Sequence, residues 1–553
     1  MNFKNLFKYS EPKNYNFALT SSNNYKKSDK DDTESIYPSI DLNLQYIKKK
    51  YNADINSDIM IREFSLTTKN TSFKAFLLYI DGMIDSNLVN HFVLNPLMLR
   101  NDNNTFDGSI KQESPSTDSK DSISVKKVKK FNLEDYIYSN LVPQNSLKKA
   151  TDFNKIIEGV NSGNCALFVD TINVSFDIDV KGFKQRSIST PNNEIIINGP
   201  QEAFVENLRT NTSILRRIIN NENLCIENIS VGDITKTSVA VCYMQNIANT
   251  DLVNEVKYRL NNLQLDSLLS AGELQQLIED TEEFNIPVLI ETERPDKCCK
   301  FLMQGRIVLI LNGNPYAIII PGVLIDYLSS PEDTNLKPGF ANFLKVLRGL
   351  AFFITLLAPG IFIAVTSFHQ EILPTELLFS ILASRENVPF PIIIELLLME
   401  FSFELIRESG LRVPAPIGGT LGIVGALILG DAAVTAHLVS PILIIVVAIT
   451  GLSSFAIPDF AFSFHLRISR FVFIFLGYTA GFLGIGLGLF LYLDAICSIN
   501  SFGVNFASTL IHSPLTRSGT YFVKPAWKKE QREPYISPKK KESQPPISRK
   551  WQL

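Results

Sequence analysis

The stretch PFPIIIELLLMEFSFELI, Pro389 to Ile406, decides the fold class: it is apolar enough for lipid, yet it carries Glu395, Glu400 and Glu404. Pro391 suits the first position of a helix, where its missing N–H and fixed φ cost nothing. The helix so entered nearly matches the ~20 residues that a bilayer core needs. Each glutamate near the centre of a span costs on the order of 3 kcal/mol, and the Ile, Leu and Phe residues return only ~0.3 to 0.6 kcal/mol each. Alone in lipid such a helix loses. It requires shelter by other protein, an interfacial position, or water.

Outward from this stretch the chain has two unlike halves. Its 553 residues are enough for three or four structural units. The net charge of −3 and the 45% hydrophobic content average a polar first half with a second half that turns apolar near residue 343. The N-terminus, MNFKNLFKYSEPKN, has lysines but no apolar core segment and no small-residue cleavage site. No signal peptide is expected, and the first half is expected to stay in the cytoplasm.

Residues 1–41 and 101–130 are rich in Lys, Asn, Ser and Asp, and predict disorder. Between them FKAFLLYIDG (73–82) reads as a buried strand, followed by the helical pattern DSNLVNHFVLNPL. Beyond the insertion NCALFVDT, SFDIDVKG, CIENISVG and TSVAVCYM read as strands, and RIVLILNGNPYAIII as a hairpin turning at Asn-Gly. These elements predict an α/β body of two subdomains, 42–100 and 131–335. An α-helical multi-pass membrane domain over 336–512 and a basic, Pro-rich, disordered tail over 513–553 follow.

In the helical half Gly349 to Ser367 is a candidate span broken at Pro359 and Gly360; others are Ile417 to Ala436, Ser440 to Ile457 and Phe471 to Leu493. In the last, Gly477/Gly481 and Gly484/Gly488 have the small-xxx-small spacing that lets helices pack closely in lipid. Pro374 to Ser384 and Pro391 to Glu408 read as re-entrant or interfacial helices. Four spans strand Arg467 and Arg470 on the outer side; counting 391–408 as a fifth brings them inside and throws the tail out.

No HExxH, Walker A, GxSxG or zinc spacing occurs, so neither an enzyme nor a cofactor or metal site is expected. The six cysteines read as buried thiols; only the vicinal pair Cys298–Cys299 raises a redox question. Chemistry is concentrated in the ionisable residues of the apolar half: Glu371, Glu376, Glu395, Glu400, Glu404, Arg407, Glu408 and Asp431. At 100° per residue Glu400, Glu404, Arg407 and Glu408 share one quadrant, with Glu395 well away. Three readings stay open. The stripe is the solvated face of an interfacial helix with an internal Glu404–Arg407 pair, or lines a cation path with Glu400, Glu404, Glu408 and Asp431, or is a subunit contact.

ENISVGDITKTSVAVCY (227–243), TERPDKCCKFLMQGRIVLILNGNPYAIIIPG (292–322) and above all the block from FHQEILPTELLFSILASRENVPFP (368–391) through LRVPAPIGGTLGIVGALILGDAAV (411–434) resemble the GerA family, the A subunits of spore germinant receptors, and most of all its clostridial GerKA type. The resemblance covers about residues 42 to 512. It implies a multi-pass protein of the endospore inner membrane, working with a transporter-like B subunit and a lipoprotein C subunit, with no role for nucleic acid. It further implies a nutrient-triggered, homo-oligomeric cation path in the A subunit. A non-conducting scaffold and a secondary transporter are the alternatives. Cys298–Cys299, TNLKP after Asp333, the 101–130 insertion and both tails depart from the family pattern.

Overall fold

The computed structural model describes residues 35–68, 71–98, 133–143, 146–182, 191, 193–280, 285–412, 430–511 and 521–545. The expected disorder of 1–34 and of the 101–130 insertion lies outside them, as does most of the expected span from Ile417.

The first unit comprises α1 (Ile40–Tyr51), β1 (Ile59–Thr68), β2 (Thr71–Ile80), β3 (Leu147–Ala150), α2 (Phe153–Asn161), β4 (Cys165–Val169) and β5 (Ser175–Ile178). Ile36 and Ile40 are buried, so packing starts earlier than residue 42. The strands form one antiparallel sheet, in the order β1-β2-β4-β5-β3. Successive side chains of a strand point to opposite faces. Ala75 and Leu77 therefore enter one core with Leu167 and Phe176, while Phe76 and Leu78 enter a second with Phe153 and Phe168.

The second unit comprises α3 (Leu208–Ile218), β6 (Leu224–Val231), β7 (Thr237–Met244), α4 (Thr250–Asn261), α5 (Ala271–Ile278), β8 (Ile290–Thr292), α6 (Pro295–Leu302), β9 (Ile307–Leu311) and β10 (Ala317–Ile320). Its strand order, β6-β7-β9-β10-β8, repeats that of the first sheet strand for strand. The repetition is visible in the sequence at YIDGMIDSNLVN (79–90) and YMQNIANTDLVN (243–254). In both, a side chain caps the next helix: Asp85 accepts from the Asn87 N–H, and Asn249 from the Asp251 N–H.

The expected division of the body at 101–130 is therefore corrected. β3, β4 and β5, which follow the insertion, complete the sheet begun by β1 and β2, so the insertion belongs to the first unit and the joint falls between β5 and α3. At that joint the buried Arg216 donates to Asp58 at 2.7 and 2.9 Å, and Asn56 accepts from the Ile226 N–H at 2.8 Å.

The helical region contains α7 (Pro338–Phe368), α8 (Thr375–Arg385), α9 (Ile392–Arg412), α10 (Pro441–Phe455) and α11 (Phe460–Ser498). By length and composition α7 and α11 are apolar enough to cross a bilayer. Two expectations change here. α7 runs unbroken through Pro359; Gly360 is instead a point of close approach, where a Cβ would lie 2.7 Å from the Phe473 carbonyl oxygen. Opposite it, a Cβ on Gly477 would lie 2.5 Å from the Gly360 carbonyl oxygen.

The run 471–493 is not one span. Gly481 has φ +57° and ψ −138°, and α11 folds there into two antiparallel arms, 460–480 and 482–498. His465 Nε2 and the Tyr492 hydroxyl are 3.0 Å apart. A straight helix would separate residues 27 positions apart by about 40 Å. Gly484 and Gly488 face Leu476 of the first arm, and Gly481 sits against Phe368 and His369 at the far end of α7.

After α11 the chain returns to the body. The Phe506 carbonyl accepts from the Leu324 N–H at 3.0 Å, and Ser501 Oγ donates to the Val288 carbonyl at 3.0 Å. Tyr327 packs on Phe462 and Phe506, so the second unit and the helices share one core.

The C-terminal segment 521–545 corrects the expectation of an unfolded tail. Tyr535 sits against the body, and Ile536 is buried in its core. Arg532 Nε donates to the Met303 carbonyl at 2.7 Å, and Glu533 pairs with the fully buried Arg306 at 2.8 Å. Asp326 is the other carboxylate on Arg306. Deleting 521–553 is thus expected to destabilise the body by about 1 to 3 kcal/mol, the cost of a buried charged group losing a partner. Differential scanning fluorimetry in detergent checks this; an unchanged midpoint would mean that the segment does not pack.

Candidate functional site

α9 places glutamates at 400 and 404, one helical turn apart, and the first arm of α11 places arginines at 467 and 470 on one face. The two helices run antiparallel, and these faces meet. Arg470 Nη2 lies 2.8 Å from Glu400 Oε2 and 2.6 Å from Glu404 Oε1; Arg467 Nη1 donates to Glu404 Oε2. Glu400 and Arg470 are completely buried, whereas the Glu404 side chain is partly exposed.

Arg407 does not pair with Glu404 as the internal-pair reading expects. Its guanidinium donates to Ser454 Oγ at 3.1 Å and lies 4.4 Å from the Phe455 ring centroid, both on α10. Glu395 has a separate task. Fully buried, it accepts from the Ser440 N–H at 2.5 Å, at the N-terminus of α10, where a carboxylate is favoured by the helix dipole. Arg385 Nε is 3.5 Å from its other oxygen.

A cavity of about 380 Å³ opens beside the cluster, lined by Phe401, Glu404, Leu405, Arg407, Glu408, Phe460, Phe464 and Arg467. Of the four candidate path residues, Glu404 and Glu408 reach this cavity, and Glu400 lies behind them against Arg470. Asp431 is not brought to the cluster: it is exposed at the opposite, Glu395 end of the helices. Glu371 and Glu376 are exposed near the far end of α7. Arg467 and Arg470 are the site residues that sequence reasoning used only as topology markers; their three-residue spacing, matched to the four-residue spacing of the glutamates, was the available signal.

The arrangement holds opposite charges inside an apolar helical region and exposes one carboxylate edge to an open space. Cys298 and Cys299 are buried in α6 as free thiols, and burial pushes Cys299 up to about 12. A thiol so raised stays protonated and is a poor nucleophile.

The chain matches the family described as Bacillus/Clostridium GerA spore germination protein over residues 45–536. It is 35% identical over 505 residues to spore germination protein KA of Bacillus subtilis, covering 91% of this chain and 87% of that one. It is 38% identical over 354 residues to spore germination protein A1 of the same organism, covering 64% and 73%. The crystal structure of the N-terminal domain of the A subunit of the Bacillus megaterium spore germinant receptor GerK3 aligns at 27% identity and a TM-score of 0.35, over 52% of this chain and 96% of that one. The chain belongs to the GerA family of spore germination proteins.

Proposed function

We propose that this chain is the A subunit of a nutrient-sensing germinant receptor in the endospore inner membrane, with its α/β body on the spore-core side, and that copies of it form a cation path opened when the complex senses a germinant. The observation that carries this reading is the ion-paired cluster of Glu400, Glu404, Arg467 and Arg470 opening on a cavity within apolar helices. Ionisable groups at such depth pair with one another and mark ion pathways. Arg467 and Arg470 neutralise Glu404 in the arrangement seen here; conduction requires that carboxylate to turn toward the cavity, where Glu408 stands. A row of carboxylates then favours cations.

The return of the chain to the body after α11 supports an even number of crossings. The hairpin at Gly481 supplies the crossing that a count of five lacks, and it keeps Lys345, Arg348 and Arg407 together with the C-terminal segment on the body side. Exposed Leu398, Phe401 and Leu405 leave an apolar face of α9 for lipid, further copies, or the transporter-like B and lipoprotein C subunits.

Spores carrying Glu404→Gln with Glu408→Gln are expected to release potassium several-fold more slowly after germinant addition, with all three receptor subunits at normal level by immunoblot. Normal efflux at normal level would sink the path assignment. One observation favours a second reading, a non-conducting scaffold for the B and C subunits: the glutamates already have in-chain partners and need no water. Purified chain in liposomes that assembles with its partners but passes no potassium current would select it.

A further inference from the structure

We propose that the C-terminal segment 521–545 is a binding surface for the anionic headgroups of the bilayer, an inference that rests on reading α7 to α11 as membrane helices. Over these residues the chain carries seven basic and three acidic side chains. Three of them are committed to the body: the buried Arg532, the Glu533 that pairs with Arg306, and Lys539, whose Nζ donates to the Gln245 carbonyl at 3.0 Å. Lys528, Lys529, Lys540 and Lys541 are exposed.

The segment is shaped rather than loose. Gln531 and Glu542 form an antiparallel bridge. Arg532 Nη1 donates to the Lys540 carbonyl at 3.1 Å, and the Ser543 N–H donates to the Glu530 carbonyl at 2.8 Å. This closed loop holds the 528–529 and 540–541 lysine pairs on one ordered segment before any ligand arrives.

Its position is equally specific. The Val523 N–H donates to Asn342 Oδ1 at 2.6 Å, and Lys345 Nζ donates to the Tyr521 carbonyl at 3.1 Å, about two turns and one turn before the point where α7 becomes uncharged at Gly349. The start of the segment, residues 521–523, therefore lies beside the point where α7 enters its apolar run. Phe522 and Trp527 of the segment are 52% and 40% exposed. Aromatic side chains favour the headgroup level, and each lysine near an anionic surface adds attraction that decays within a Debye length.

The chain has two tryptophans, so Trp551→Phe leaves Trp527 as the sole tryptophan, excited selectively over the tyrosines. Full-length chain carrying that change is placed in nanodiscs of phosphatidylcholine alone or with increasing phosphatidylglycerol. Emission is expected to move to shorter wavelength as phosphatidylglycerol rises, and to return at high salt. Each Lys→Gln change at 528, 529, 540 or 541 is expected to weaken the lipid-dependent response about fivefold, and all four together to abolish it. Glu542→Lys is expected to strengthen it, a gain that misfolding cannot mimic. Identical spectra in both lipids, or a quadruple variant that still responds, would overturn the inference while leaving the membrane reading intact. A chain that does not enter nanodiscs at all would overturn the membrane reading and this inference with it.

Discussion

Replacing Arg470 by methionine is expected to destabilise the helical region by about 3 to 5 kcal/mol, the usual cost of removing one partner from a buried ion pair. Arg470 is the only cation within ion-pairing distance of Glu400 among the described residues, and both are completely buried. Glu404 keeps Arg467, so the damage falls on Glu400, a carboxylate shut away from water with nothing to neutralise it. Unfolding in detergent with added denaturant, followed by circular dichroism, reads the loss directly. Adding Glu400→Gln to Arg470→Met removes the stranded charge and is expected to recover a large part of the stability. An unchanged midpoint for Arg470→Met would mean that the cluster holds nothing together.

The second large effect is expected at Gly481. Its φ of +57° with ψ of −138° is a combination that residues with a Cβ avoid, at about 1 to 3 kcal/mol of strain. A Cβ there would also stand 2.8 Å from His369 Cε1 and 3.2 Å from Phe368 Cβ. Gly481→Val therefore meets both barriers at the point where the two arms reverse. The expected outcome is a chain whose last arm no longer packs along residues 465–476. In a Cys497→Ser background, a cysteine placed at Ala495, buried in the second arm, then becomes reactive to a thiol reagent from which the packed arm protects it. Wild-type protection in Gly481→Val would show that the reversal does not depend on glycine.

Much of the architecture was legible because it rests on local pattern. The apolar runs 349–367 and 440–457 mark α7 and α10, and Asn312-Gly313 marks the β9–β10 turn. The features that escaped share a different cause. The reversal at Gly481 is a matter of φ, and a GxxxG spacing looks the same whether it joins two helices or folds one helix back on itself. The Glu404–Arg467 contact spans 63 residues, so the matched spacings of the two glutamates and two arginines hint at a pairing without showing that their helices meet. The duplicated body was written in DSNLVN and NTDLVN, but the insertion between the elements of the first unit disguised the period. The C-terminal segment has the composition of a disordered tail, and its docking turns on Arg306, one buried side chain that composition does not flag.

The pairing of Arg306 with Glu533 joins residues 227 positions apart, with every helix of the apolar region lying between them. During synthesis the second unit emerges first, the helices of the apolar region next, and Glu533 only after them. Until then Arg306 has Asp326 but not its second carboxylate, and the surface that Ile536 covers stays open to water. The body is therefore completed by residues translated after the apolar helices. A chain cut short by a premature stop between α11 and Glu533 carries an unfinished body, whose uncovered surface a protease can tell from a finished one.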